Sequence, residues 1–153
     1  MKHIFGVFAS LLSLVALADG QYEYSKCWDA MNEKDYVKAV NWCTLSAERG
    51  FDGALLALGH LHLAGETKDL HKAEHWYLRY ARSGYEGYGY GFAMLGSVAM
   101  ELGDKVSAYK WYYLCSKSDY AGCQTDLIKL KSELSGSDID NATKQAKEWS
   151  LAE

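Results

Sequence analysis

Apolar side chains recur every three or four residues along most of the chain, which is the spacing of an amphipathic helix. Glycines, among them Gly50 and Gly84, and short polar stretches interrupt this pattern and indicate turns. No alternating apolar and polar pattern of useful length occurs, so strands are not expected. The pattern predicts eight helices in four antiparallel pairs. Their approximate bounds are 22–32, 35–49, 53–64, 69–83, 89–102, 105–117, 120–135 and 139–151.

A short motif repeats within this pattern: alanine followed three residues later by tryptophan. Four of the five tryptophans lie in it, at spacings of 34, 35 and 38 residues. A period in the mid-thirties is typical of stacked helix-turn-helix units, each of which buries its apolar face against its neighbours. The prediction is an all-α fold, an α/α superhelix (solenoid) of about four helix pairs. The copies are Ala39/Trp42, Ala73/Trp76, Ala108/Trp111 and Ala146/Trp149.

Small residues near these tryptophans indicate where helices approach closely. Gly59 and Gly96 each follow a leucine upstream of a copy of the motif. A glycine or alanine lets two helix backbones come together, and an aromatic ring on the partner helix fills the gap beside it. We expect Gly59 to pack against Ala73 and Gly96 against Ala108, with the motif tryptophans between successive hairpins.

The start of the chain has the layout of a secretory signal peptide. A short polar start precedes a nearly uninterrupted apolar run over 4–17, and small residues up to Ala18 form a cleavage site before Asp19. The run is shorter than the ~20 residues of a membrane span. We predict a signal peptide over 1–18 and a repeat domain over 19–153, periplasmic or secreted, with no stable membrane insertion after cleavage. The alternative is an uncleaved anchor or a buried N-terminal helix.

Composition narrows the function classes. Apolar residues make up 49% of the chain, which excludes a disordered protein, and the absence of proline leaves long helices unobstructed. The formal net charge is -4, so the chain has no overall positive potential to attract nucleic acid. We therefore expect no nucleic-acid partner.

The four cysteines are an even number and become readable as disulfides in an exported protein. Cys27 and Cys43 are sixteen residues apart, and Cys115 and Cys123 are eight apart, each pair around a polar stretch. If these stretches are turns between antiparallel helices, each pair lies side by side. Metal binding is the rival use, although neither pair has the short gap of a zinc knuckle. We expect disulfides Cys27–Cys43 and Cys115–Cys123, and no metal or cofactor.

The stretch from Ala39 to Gly103 resembles the Sel-one-like repeat family, a branch of the tetratricopeptide-type helical solenoids. The segment from Cys115 to Cys123 is similar to the disulfide-bearing variant of exported bacterial members. The chain departs from the family at His62, where tyrosine is preferred, and in a fourth unit without Leu-Gly. The matching segments are Ala39-Val-Asn-Trp42, Leu58-Gly59, Ala73-Glu-His-Trp76-Tyr77 and Leu95-Gly96.

The resemblance implies binding of another protein, since members mostly act as adaptors and regulators. In such solenoids the first helix of each pair lines a concave surface. Counting from the close-packing glycines, or from Cys27, places these residues on the concave surface: Tyr24, Trp28, Met31, Leu56, His60, Leu63, Tyr90, Ser97 and Glu101. For Trp28 and Met31 the alternative is that they cap the apolar end of the stack.

A three-residue insertion lies in the segment from Gly84 to Phe92, which alternates glycine with aromatic residues. Insertions in repeats often map to a binding face, so we expect a loop that clamps a partner. The alternative is a longer turn whose tyrosines fold back onto the neighbouring helix. The aromatic contact residues predicted here are Tyr85, Tyr88, Tyr90 and Phe92.

Catalytic motifs are weak. His71 and His75 fit an H-x-x-E-H pattern, but no third ligand can be placed, and both should lie on the solvated side of their helix. His60 and His62 are two apart, hence on different faces. We therefore expect no catalytic residue and no enzyme.

The sequence thus predicts an exported, non-enzymatic protein-binding module, an adaptor or regulator. The first alternative is a periplasmic inhibitor or immunity protein that neutralises a toxin or enzyme. The second is a weak β-lactam-binding or hydrolysing enzyme.

Overall fold

The computed structural model describes residues 20–84 and 88–151, with side chains up to 149, and this part of the chain consists of helices joined by turns and contains no strands. The predicted all-α class is therefore confirmed. The predicted signal peptide (1–18) and Tyr85 lie outside the described residues. The helices are α1 (20–32), α2 (Tyr36–Glu48), α3 (Asp52–Leu63), α4 (Leu70–Arg82), α5 (Tyr88–Glu101), α6 (Lys105–Cys115), α7 (Gln124–Glu133) and α8 (Gly136–Leu151).

The chain divides into two compact units, which meet in sequence at Lys68 and Asp69. In the first unit α2 packs on α3, and a single turn of 3-10 helix over Gly65–Thr67 follows. In the second unit α4 packs on α5, α5 on α6, and α6 on both α7 and α8. Helices adjacent in sequence thus pack against each other from α4 to α7, as in a helical repeat array, whereas α8 packs on α6 and does not form the predicted antiparallel pair with α7.

Helices α2, α4 and α6 begin at the same kind of cap. Asp35, Asp69 and Asp104 precede α2, α4 and α6, and each carboxylate accepts a hydrogen bond from the backbone N–H three residues on. Such a cap satisfies one of the donors that a helix start leaves without a partner. The caps are 34 and 35 residues apart, the period of the first three Ala/Trp copies.

Residues with positive φ angles follow several of these helices. Gly50, Gly84 and Gly103 adopt φ values of 87°, 70° and 80°. This left-handed conformation favours glycine because a side chain is strained there. In the turn between α1 and α2 the same role falls to Lys34, with φ of 62°. The turns predicted at Gly50 and Gly84 are confirmed.

The last helix begins earlier than predicted. It begins at Gly136, and the residue that caps it is Ser135, whose Oγ accepts a hydrogen bond from the Asp138 N–H at 3.2 Å. Asp138 in turn accepts from Ser135 Oγ at 2.6 Å. Ala146 therefore lies eleven residues beyond its cap, whereas Ala108 lies four beyond Asp104. The fourth copy of the motif therefore has a different register relative to its cap from the first three.

The alanines of the motif are core positions: Ala39, Ala73, Ala108 and Ala146 are all fully buried. Near the last two copies an aromatic cluster fills the second unit. The Trp111 ring stacks on Phe92 at 6.1 Å between centroids, and the Trp149 ring meets Trp111 edge-on at 5.7 Å. Such pairs add to the free energy gained by area burial alone.

Close approach of α5 and α6 occurs at Gly96. A Cβ atom on this residue would lie 2.5–2.8 Å from the ring of Tyr112. The expectation of an aromatic ring beside the glycine is confirmed, and the ring is that of Tyr112, one turn beyond Ala108 on α6. Tyr112 is 5% exposed, and its hydroxyl lies 3.3 Å from Ser97 Oγ.

Both predicted disulfides are present. Cys27 of α1 joins Cys43 of α2 with 5.1 Å between Cα atoms, and Cys115 joins Cys123 at 6.1 Å. The first bridge ties α1 to the helix pair that follows it. The second closes the turn between α6 and α7, and no cysteine in the described chain is free.

Replacing Gly96 by alanine tests the close approach. The added methyl overlaps a buried ring, so Gly96→Ala should lower the free energy of unfolding by about 1–3 kcal/mol. Gly136→Ala is the matched control, because a Cβ there meets nothing within 4 Å. Urea unfolding measures both variants, and equal midpoints for the two would contradict this packing.

The cap at Asp104 predicts a pH dependence. The pKa of its carboxyl is lowered, chiefly by the hydrogen bond from the Ser107 backbone N–H. A lowered pKa contributes stability that is fully present above about pH 5 and is lost as pH falls through the folded-state pKa. Asp104→Asn should therefore be less stable than wild type at pH 7 and equal to it near pH 2. Thermal unfolding across this range measures the difference, and a constant difference would contradict the prediction.

Candidate functional site

The exposed aromatic surface of the first unit lies on α1. Tyr24, Trp28 and Met31 have the i, i+4, i+7 spacing that places them on one helix face. Trp28 is 47% exposed, whereas Trp111 is 4% exposed and the other motif tryptophans are half-buried. The tryptophan outside the repeated motif is thus the most exposed of the five.

Tyr24 connects this surface to α3. Its ring meets Trp28 edge-on at 6.3 Å and lies 4.6 Å from the ring of Phe51, which precedes α3. A Cβ on Gly53 would lie 2.9 Å from the Phe51 ring and 3.4 Å from Tyr24 Cζ, so glycine at this position leaves room for both rings. The three aromatic side chains therefore form one continuous surface, which we call the α1 face.

A cavity of about 260 Å³ opens at the other end of the same helix. Met31 from α1, Tyr36 from the start of α2 and His60 from the last turn of α3 meet there. Lys34 and Gly65, with their positive φ angles, bring the chain back at the two turns beside it. Two residues predicted as partner contacts, Met31 and His60, are thus brought together. The full lining is Met31, Tyr36, His60, Leu61, Ala64 and Gly65.

His60 is the titratable side chain of the predicted set in this cavity. Burial lowers the pKa of its imidazole, because the charged form is poorly solvated there. The ring is therefore neutral at pH 7. His62 is directed elsewhere, as expected, since its Nδ1 lies 2.8 Å from the Thr67 carbonyl oxygen. Leu56 and Leu63, the other predicted contacts on α3, are half-buried.

The predicted contacts on α5 have different environments. Glu101 is exposed. Ser97 serves packing, since its hydroxyl donates to the Ala93 carbonyl at 3.1 Å and lies beside Tyr112. Tyr90 is half-buried, with its ring 5.5 Å from that of Tyr120. Of these three, Glu101 alone is open to solvent.

The prediction of a clamping loop between Gly84 and Phe92 is wrong from residue 88 onward. Helix α5 begins at Tyr88, so the residues from 88 onward are helical and not a loop. A Cβ on Gly89 would collide with Ser118 and Tyr120, and a Cβ on Gly91 would approach the Tyr80 ring at 2.9 Å. The glycines therefore permit close packing of α5. Phe92, predicted as a contact residue, is 4% exposed in the aromatic cluster, whereas Tyr88 is 43% exposed.

A second cavity, of about 350 Å³, was not predicted. It lies between α6 and α7 in the second unit, where Ile128 is 61% exposed. In the sequence only the apolar Ile128 within a mostly polar helix points to this cavity. A single apolar residue of this kind is common on protein surfaces, so it did not predict a cavity. Its lining is Tyr109, Tyr113, Ser116, Lys117, Gln124, Leu127, Ile128 and Lys131.

His71 and His75 are exposed on α4, on the solvated side as expected. Within residues 20–84 and 88–149, no three His, Cys, Asp or Glu side chains are grouped closely enough to hold a metal ion. Among the described helices none has the length and apolar character needed to cross a bilayer.

The chain matches no protein-family model, no curated protein and no solved structure. The function of the site is therefore inferred from the residues of this chain.

The buried imidazole predicts a pH effect on stability. Because the pKa of His60 is lower in the folded than in the unfolded state, its contribution is fully present above about pH 6.5 and diminishes as pH falls below that value. His60→Gln should therefore lose less stability than wild type between pH 7.5 and pH 5.5. Urea unfolding at the two pH values measures this, with exposed His75→Gln as the control. Parallel losses in wild type and His60→Gln would contradict the assignment.

Proposed function

We propose that this protein is an exported, non-enzymatic Sel-like repeat module that binds another protein through the α1 face and the adjoining cavity. The α1 face comprises Tyr24, Trp28 and Phe51. Aromatic residues with a polar tip, together with methionine, are enriched where proteins bind each other, because they bury large areas at low entropic cost. An adaptor or regulator is the favoured role, and a periplasmic inhibitor is the alternative.

The exposure of Trp28 is the observation that carries the proposal. Nearly half of its surface is open to solvent, although the side chain offers one of the largest apolar areas available to a protein. The Cys27–Cys43 bridge and the contact of Tyr24 with Phe51 hold α1 in place. A rigid aromatic surface loses little freedom on binding, which favours affinity.

Export is supported by two kinds of observation. Both cysteine pairs are bridged, and disulfides persist mainly in oxidising compartments. The apolar start of the sequence with its small-residue cleavage site points to the same compartment.

The decisive experiment compares two variants of α1 in which one aromatic residue is replaced by alanine. Trp28→Ala removes the centre of the α1 face, whereas Tyr22→Ala removes a ring that is 58% exposed on a different face of the same helix. Both proteins are expressed with a tag in the exporting host and recovered from the extracytoplasmic fraction. We expect a stoichiometric partner to remain with wild type and Tyr22→Ala, and its affinity to fall at least tenfold with Trp28→Ala.

Circular dichroism should give the same helix content for all three proteins. A partner held equally by Trp28→Ala and wild type would contradict the proposed surface. The identity of the partner separates the two roles: a toxin or enzyme that loses activity in the complex indicates an inhibitor.

A further inference from the structure

The second cavity lies between α6 and α7, and the proposed function does not use it. We call it the α6–α7 cavity. Its volume of about 350 Å³ is typical of sites for small molecules. Most of its lining comes from one face of each helix, because residues 109, 113 and 116 are spaced i, i+4, i+7 and residues 124, 127, 128 and 131 are spaced i, i+3, i+4, i+7. Every lining residue belongs to the second unit.

Helix α7 is attached to α6 at few points, which explains the cavity. Cys123, directly before α7, is bridged to Cys115 at the end of α6. At the other end of α7, Glu133 Oε2 lies 2.8 Å from Lys105 Nζ. Leu130 is the one buried side chain of this ten-residue helix, and it cannot fill the space along the whole helix, so a gap remains. The disulfide fixes the two helices relative to each other at one end of the gap, which lowers the entropic cost of binding there.

The charged groups of the cavity are positive. Lys117 and Lys131 contribute ammonium groups, and none of the eight lining residues is acidic. Neither lysine forms an ion pair with a residue that the structure describes, and Lys117 Nζ lies 5.1 Å from the centre of the Tyr113 ring. The chain as a whole is acidic, with 16 Lys and Arg residues against 20 Asp and Glu residues. The excess of cations in this cavity is therefore a local feature.

The acidic residues of α7 and of the turn before it lie outside the lining. Glu133 binds Lys105, as described above. Asp126 interacts electrostatically with Tyr112, which does not line the cavity. Asp119, in the turn, is exposed and does not line the cavity either. The ammonium groups in the α6–α7 cavity therefore have no carboxylate beside them in the lining, and they attract an anion from solution.

The walls of the cavity are aromatic and aliphatic. The rings of Tyr109 and Tyr113 lie on the α6 side, and Leu127 and Ile128 lie on the α7 side. Burial raises the pKa of the Tyr109 phenol above its ordinary value of 10.0, so its hydroxyl is protonated at neutral pH and can donate a hydrogen bond. Apolar walls together with cationic and hydroxyl donors suit a ligand that has an apolar body and an anionic group.

We propose that the α6–α7 cavity binds a small organic anion, namely a carboxylate carried on an aromatic or aliphatic body. The carboxylate accepts hydrogen bonds from the ammonium groups of Lys117 and Lys131, and the body packs against the tyrosine rings and the two aliphatic side chains. This site lies in the second unit and depends neither on the α1 face nor on export, so its failure would leave the proposed function untouched.

Phenylbutyrate and its uncharged counterpart phenylbutyramide, which have the same body, test the requirement for charge. Each compound is added to the isotope-labelled protein at pH 7, and the backbone amide signals are followed by NMR. We expect saturable shifts of residues in α6 and α7 with the acid, and about fivefold weaker binding of the amide, the size expected for two partly solvated charge pairs. Equal affinity for the two compounds, no saturable shift with the acid, or shifts centred outside these helices overturns the proposal.

Two double variants with the same change in net charge locate the site. Lys117→Gln with Lys131→Gln removes both cations of the lining, whereas Lys129→Gln with Lys144→Gln removes two lysines outside it. All four lysines are exposed, so no buried contact is lost in either variant. The first variant should bind phenylbutyrate about fivefold more weakly and the amide as before, and the second should bind both within about twofold of wild type. Equal weakening by the two variants would show that overall charge alone matters and would overturn the site.

Discussion

Close packing of helices at small residues is the constraint on which this structure depends. Where α5 meets α6, the absence of a side chain at Gly96 is what admits the ring of Tyr112. The buried alanines of the repeated motif do the same at their positions, since a larger side chain would separate the helix backbones. Protein interiors tolerate neither voids nor overlap, so small and large residues must alternate across each contact. The aromatic residues that fill these gaps are therefore buried or half-buried.

Trp28 differs from these aromatic residues in its exposure to solvent. The repeated tryptophans are buried or half-buried, whereas Trp28 lies outside the repeat and is largely exposed. The same helix is fastened to its neighbour by the Cys27–Cys43 disulfide and by the ion pair of Glu23 with Arg49. An aromatic surface on a fixed helix resembles the preorganised anchors of protein interfaces.

Much of the fold follows from the sequence because its signals are local. The Ala/Trp period predicts the helices, and the positions of Gly50 and Gly84 predict their turns. The aspartate caps carry the same period but were missed, because aspartate is also common on exposed surfaces. The start of α8 was placed too late because Ser135, Ser137, Asp138 and Asp140 are all capable of capping a helix. Local patterns therefore define the elements better than their boundaries.

The site was harder to predict, since it depends on which side chains meet in three dimensions. Met31 and His60 do line one cavity, but Phe92 is buried, because the glycines beside it allow helix packing and do not form a flexible loop. Glycine permits either outcome, and only the neighbouring helix decides between them. Glu23 is buried in α1 beside Arg49, and its burial has no sequence signal, since acidic residues near a helix start are usually solvated.

Fluorine NMR of the protein labelled with 5-fluorotryptophan tests the central claim most directly, because each of the five indoles gives its own signal. The account predicts that a soluble paramagnetic agent broadens the Trp28 signal most and the Trp111 signal least, and that a bound partner protein shifts the Trp28 signal and protects it from broadening. Strong broadening of Trp111, or a partner that shifts the motif tryptophans and leaves Trp28 unchanged, would contradict it.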